Sequence, residues 1–172
     1  MEITNSNRSW FALYTKPRCE FKAAGELEEL NIEFYLPSIT KLKQWSDRKK
    51  KVTEPLLRGY IFIFADEKER MFSLECESIV RCIFDHGRPA KIPDWQINNL
   101  KLFLTGNSDV EVTEGILTGK KIIIKDGSFE GVIGTIIEVK NEKSIAVSID
   151  LLNRTVVALL PKESSFELLK IE

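Results

Sequence analysis

The residue types that most often carry chemistry are sparse in this chain. It holds one histidine, His86, in the stretch FDHGRP, and three cysteines, Cys19, Cys76 and Cys82. Nucleophilic and acid–base catalysis need a nucleophile beside a base that a third group orients. No Ser/His/Asp or Cys/His arrangement of that kind can be traced, and no phosphate-binding or dinucleotide-binding glycine motif occurs. The cysteines are odd in number and lack C-x-x-C spacing, so they read as reduced thiols packed as small apolar residues. A histidine in a turn reads as exposed polar surface. Scattered carboxylates cannot be paired as acid and base without geometry. The expectation is a protein that is not an enzyme, with no cofactor and no metal.

What remains is binding chemistry, carried by aromatics and cations. In KVTEPLLRGYIFIF, Tyr60, Phe62 and Phe64 alternate with Gly59, Ile61 and Ile63. Side chains of a strand point to opposite faces with period two, so both faces of this strand are apolar. One face can pack on the protein's own core. The aromatic face is either covered by a helix or open to a partner. A first cluster of cations, Lys16, Arg18 and Lys22, lies in YTKPRCEFK, where solvated charge and phosphate pairing are both open readings. A second, Arg48 to Lys51 in SDRKKK, is a hairpin tip that is either solvated or bound to nucleic acid.

Charge narrows the partners. The net charge is −1, with 30% charged and 43% hydrophobic residues, which is the composition of a globular protein. Residues 1–60 hold 11 Lys and Arg against 8 Asp and Glu, a net of +3; residues 61–172 hold 14 against 18, a net of −4. A basic first section permits local contact with nucleic acid, without the many phosphate contacts of tight non-specific binding. No apolar run approaches the ~20 residues of a membrane span. The opening MEITNSNRSW has no apolar core of a secretory signal. A cytoplasmic protein is expected.

These residues must be positioned by a modest set of elements. WFALYTKP predicts a first strand ended by Pro17. RCEFKAAGELEELN predicts a helix with Phe21, Ala24, Leu27 and Leu30 inward and Asn31 as its stop. IEFYLPSITKLKQW and KVTEP predict the arms of a hairpin, followed by the YIFIF strand. DEKERMFSLECE predicts a helix with Met71 and Leu74 on one face, and IVRCIF another strand. IPDWQINNLKLFLTG predicts a helix with Asp94 as N-cap, Ile97, Leu100 and Leu104 inward, and Gly106 past its end. This order fits an α+β domain, an antiparallel sheet with flanking helices. TGNSDVEVTEG has little apolar mass and predicts a linker. After it, KKIIIKDG, GTIIEVK, SIAVSIDLL and RTVVALLP predict a small barrel of about five strands. The expected domains are 1–106 and 116–172, joined by a linker at 107–115.

These stretches in this order resemble the NusG family of transcription elongation factors. YTKPRCEFKAAGELEE, FYLP, EPLLRGYIFI, IVRCIF and IPDWQINNL resemble its N-terminal (NGN) domain. IIIKDGSFEGVIGTIIEV resembles its KOW motif, with Gly127, Phe129, Gly131 and Gly134, and VSIDLLNRTVVALLP resembles the next hairpin of a small KOW β-barrel.

The resemblance implies an N-terminal domain that binds the clamp helices of RNA polymerase and suppresses pausing. It implies a polymerase-binding patch at Tyr14, Tyr60 and Phe62, with Arg70 and Ser73 facing the gate loop. RMFS departs from the His/Thr-containing motif of RfaH-like members at that place, and Arg58 stands where many members have proline. In RfaH-like relatives the segment matching Lys16, Arg18 and Lys22 touches the non-template DNA strand. The KOW domain would take a ribosomal protein or a termination factor as partner. The glycines of that motif also read simply as turn formers. KQWSDRKKKVTEPL further resembles the UpxY-like paralogues of Bacteroidetes, operon-specific antiterminators of polysaccharide genes. The alternatives are a general NusG-type elongation factor and an RNA- or ribosome-binding KOW protein. Residues 111–172 hold 8 Lys and Arg against 10 Asp and Glu, which disfavours phosphate binding there. A monomer without membrane contact is expected.

Overall fold

The computed structural model describes residues 7–105, 109–139 and 141–169. The expected stop at Gly106 and the start of the expected linker fall outside them, as does most of the opening decapeptide. The chain divides into two compact units, Met1–Asp94 and Trp95–Glu172.

The first unit contains β1 (Ser9–Thr15), α1 (Glu20–Glu29), β2 (Glu33–Tyr35), β3 (Ser38–Gln44), β4 (Lys49–Pro55), β5 (Tyr60–Ala65), α2 (Glu67–Ser73), β6 (Ile79–Cys82), β7 (Phe84–Asp85), β8 (Arg88–Pro89) and β9 (Lys91–Ile92). Its main sheet is antiparallel, ordered β2-β5-β1-β6, with β9 also pairing β1. One face carries Phe11, Leu13, Ile61 and Ile63, which form a core with Ala23 and Leu27 of α1 and with Ile79 and Cys82 of β6. Alternation sets Phe11 with Leu13 and Ile61 with Ile63, because every second side chain of a strand faces the same way.

The ends of α1 are built from local chemistry. Asn31 takes φ +54°, the left-handed conformation expected of it as the stop. The Ile32 N–H then reaches the Leu27 carbonyl at 3.0 Å, and the Asn31 N–H reaches Glu28 at 3.0 Å. The buried face differs from expectation. Glu20, Ala23 and Leu27 face inward, while Phe21 and Leu30 are exposed. Glu20 is buried because its carboxylate accepts the Gly59 N–H at 2.8 Å, a partner far away in sequence. In α2, Arg70 and Ser73 take the buried side, and Met71 is 52% exposed. A capping box, Asp66 with Glu69, starts this helix.

β3 and β4 form a separate two-stranded ribbon, and β7 with β8 a second one. His86 and Gly87 both have positive φ, +47° and +76°, at the tip of the latter. That is the two-residue turn that suits the twist of a hairpin.

The second unit holds all but the first residue of α3 (Asp94–Leu104), then β10 (Glu111–Glu114), β11 (Lys120–Ile124), β12 (Ile133–Val139), β13 (Glu142–Ile149), a 3-10 turn (Asp150–Leu152), β14 (Arg154–Leu159) and β15 (Phe166–Leu168). Its strands form one antiparallel path, β10-β14-β13-β12-β11-β15. This differs from the expected barrel in two ways. There are six strands, because β10 lies inside the expected linker and β15 was not foreseen. Among the described residues no ladder joins β10 to β15, so the sheet is not closed.

The helix α3 packs on this unit, although the sequence order placed it at the end of the first domain. Asn99 clasps Ile133, donating to its carbonyl at 2.6 Å and accepting its N–H at 2.8 Å. Gln96 donates to Asp150 at 2.9 Å, and Phe103 stacks on Phe129 with centroids 5.1 Å apart. Asp94 is the first helical residue itself, one position inside the expected N-cap.

Candidate functional site

The second face of the main sheet answers the question raised by YIFIF. Antiparallel register sets Trp10 opposite Phe64, Ala12 opposite Phe62 and Tyr14 opposite Tyr60. Tyr35 of β2 stands opposite Phe62. The rings meet as cross-strand pairs: Trp10–Phe64 at 5.3 Å, Tyr14–Tyr60 edge-on at 5.6 Å, and Tyr35–Phe62 stacked at 6.3 Å. Such pairs are a principal unit of sheet stabilisation. Burial pushes the Tyr35 phenol far above its ordinary pKa.

Exposure along this face is graded. Phe62 is at 0%, with no free surface for a partner as the chain is folded here. Its ring stacks with that of Tyr35, and β5 lies between β2 and β1, so the expected contact at Phe62 would meet a buried side chain. Tyr14 and Tyr60 are partly exposed at one end of the ladder. The guanidinium of Arg81 lies 5.8 Å from the Tyr14 ring centroid, a cation–π geometry. Gly59 abuts the same ring. A Cβ there would lie 3.1 Å from Tyr14 Cε2, and its φ of +82° already favours glycine.

Arg70 and Ser73 are also turned inward, at 4% and 0% exposure. Arg70 donates from Nε to Glu67 at 3.0 Å, and the Ser73 hydroxyl donates to the Arg70 carbonyl at 2.6 Å. The guanidinium holds the Glu67 carboxyl below its ordinary range. These two residues brace α2, with both side chains turned inward.

The three cations of YTKPRCEFK separate into two kinds. Lys16 and Arg18 are exposed beyond the end of β1, and Arg18 takes φ +62°. They join a groove of about 610 Å³ through Arg18, lined also by Tyr14, Phe21, Glu54, Arg58 and Gly59. Arg58, the departure from the family's proline, thus stands on the wall of this groove. Lys22 is engaged within the protein, 2.7 Å from Glu77 and 3.8 Å from Glu26. The Glu77 carboxylate raises the Lys22 ammonium pKa above its usual value. Among the described residues Lys16 and Arg18 form no salt bridge, although the charge of Lys16 also acts on Glu77, whereas Lys22 is bridged.

In the KOW-like stretch, Gly127 and Gly131 have φ +84° and +81° and shape the turn between β11 and β12. Phe129 is buried there against Phe103. Gly134 has a different reason, close packing, because a Cβ would meet Ile145 Cγ1 at 2.7 Å and the Ala146 carbonyl oxygen at 2.9 Å.

No group of three or more His, Cys, Asp or Glu able to hold a metal occurs among the described residues, and no described helix is long and apolar enough to cross a membrane. Burial pushes the Cys82 and Cys76 thiols up. His86 is exposed beside Asp85, at 2.8 Å.

Residues 8–101 match the family model of NusG, transcription termination factor nusG. Among solved structures, the chain is similar to NusG of Thermotoga maritima, studied for its domain interaction. The identity is 19% over 91% of this chain and 94% of that one, with a TM-score of 0.49. It is also similar to the MjSpt4:Spt5 complex in conformation A, at 17% identity over 95% and 99% of the two chains and a TM-score of 0.31. The family match spans more than half of the 172 residues, and the protein belongs to the NusG family of transcription factors.

Proposed function

We propose that this protein is an elongation factor that binds RNA polymerase through the Tyr14–Tyr60 end of its aromatic face and suppresses pausing and termination. The observation that carries the reading is the partly exposed tyrosine pair within the segment that matches the family. Aromatic side chains are preferred anchors of protein interfaces, and the clamp helices of the polymerase are the surface such an anchor would meet. Phe62 stays behind this end, buried two positions along the same strand from Tyr60 and stacked with Tyr35. Arg70 and Ser73 would act only through the position of α2. Lys16 and Arg18 would meet the non-template DNA strand at the adjoining edge.

In this reading the protein is a specialised paralogue of the UpxY kind, an antiterminator of polysaccharide operons, on the strength of KQWSDRKKKVTEPL. It acts in the cytoplasm as a monomer. Its inherited parts are 1–106, the connection 107–115 and a KOW domain at 116–172, which takes a ribosomal protein or a termination factor.

The test is retention of purified RNA polymerase by wild type, Tyr14→Lys and Tyr60→Lys, after circular dichroism confirms each fold. Losing a central anchor should weaken binding by about thirtyfold. Retention unchanged in both folded variants would sink the interface. A gel shift on stalled complexes with Lys16→Ala and Arg18→Ala tests the DNA edge, where unaltered recruitment refutes it. Readthrough on a polysaccharide-operon leader but not on an unrelated template separates the specialised reading from the general one.

A further inference from the structure

We propose that the β3–β4 ribbon is a second, separate binding site, for a single-stranded polynucleotide. Lys49, Lys51 and Arg48 meet its phosphates and Trp45 stacks on a base. The ribbon pairs only with itself, from Ser38 opposite Pro55 to Gln44 opposite Lys49. An isolated two-stranded ribbon is marginal in water. Adding four consecutive cations, Arg48 to Lys51, makes it more so by mutual repulsion. A bound polyanion relieves that repulsion.

The cations differ in their freedom. Lys43 is paired with Glu54, whose carboxyl it holds below the ordinary range. Lys50 lies 5.7 Å from the Trp45 ring centroid. Arg48, Lys49 and Lys51 have no ion-pair partner among the described residues. Lys49 and Lys51 share one face of β4, ~6.8 Å apart at the usual strand rise. This places two ammonium groups in a row along an extended backbone.

Trp45 closes the turn, its N–H donating to the Arg48 carbonyl at 2.8 Å, and its side chain is 54% exposed. Lys50 stands at cation–π distance from the indole, and the exposed part of the ring is the surface on which a base would stack. Leu42, at 65%, is the other large apolar group of the tip. Leu42 lies within β3 and Trp45 just past its end, so a flexible strand can run along β4 and around the turn. Tryptophan and lysine together also suit a membrane surface, which is the competing outcome of the test.

The site is independent of the polymerase contact, and the experiment keeps the two apart. Full-length protein is titrated into labelled oligo-dT and oligo-U of about fifteen nucleotides, the span of one single-strand site. A duplex of the same length and anionic phosphatidylserine vesicles are the other probes. Binding to oligo-dT or oligo-U supports the proposal and shows whether DNA or RNA is preferred. Trp45→Ala should weaken it at least about fivefold, with Trp45→Phe restoring most of the loss. Lys49→Gln with Lys51→Gln should lower the salt slope by about 1.4. Unaltered affinity in these variants overturns the proposal. So does equally tight duplex binding, or vesicle binding without oligonucleotide binding. If Lys16→Gln with Arg18→Gln abolishes binding while the ribbon variants do not, the ribbon has no such role and the DNA edge stands. Polymerase retention by the ribbon variants should match wild type.

Discussion

Gly134 and Gly25 are glycines for opposite reasons. At 134 the strands β12 and β13 approach too closely for a side chain, with Ile145 and a backbone carbonyl under 3.0 Å from where a Cβ would sit. Gly134→Ala should therefore destabilise by ~1–3 kcal/mol through overpacking. Gly25 sits inside α1 with nothing within 4 Å. Gly25→Ala should stabilise by ~0.5–1 kcal/mol, because alanine costs less entropy in a helix. Urea denaturation of the two variants checks both signs, and equal shifts would contradict this account. The KOW-like resemblance singled out Gly134 alongside Gly127 and Gly131, and only geometry separates a packing glycine from two turn glycines.

At the scale of elements, the strands with strict alternation were legible in the sequence, and so was the Asn31 stop. Helix faces were not. Spacing favoured Phe21, Ala24 and Leu30 for α1, but Glu20 won the inward position through a backbone donor 39 residues away. In α2 the spacing favoured Met71, and Arg70 won through Glu67 and the Ser73–Arg70 carbonyl bond. Sequence periodicity counts apolar residues and cannot see a long-range partner that satisfies a buried charge. β10 was hidden because its glutamates read as linker, although VEVT alternates. The candidate face was half legible. Alternation gave Tyr60, Phe62 and Phe64, and the family resemblance gave Tyr14, while Trp10 and Tyr35 join the face through strand pairing that one sequence does not reveal. The capping box of Asp66 and Glu69 sets the start of α2. Asp66→Ala should cost ~1 kcal/mol, read as a lower melting temperature with no change in strand content.

At the scale of the molecule, both units carry carboxylates held below their ordinary range. Lys43 lowers Glu54, Arg70 lowers Glu67 and Lys22 lowers Glu77 in the first unit. Ser165 lowers Asp126 and Lys125 lowers Glu167 in the second. A depressed folded pKa contributes stability that is present above the unfolded value and lost as pH falls through the folded one. The denaturation midpoint should be flat near neutrality and fall below about pH 4.5. Added salt should shrink the part of the fall that comes from the three lysine pairs, whose ammonium groups are exposed. A midpoint that rises on acidification would contradict these ion pairs. One helix also does more than cover a core. Glu20 and Glu26 of α1 each hold a backbone N–H outside the sheet ladders, Gly59 at 2.8 Å and Ser78 at 3.0 Å. Those two amides should trade their protons for deuterium as slowly as strand amides do, so that the connections flanking the tyrosine pair open only when α1 itself lets go.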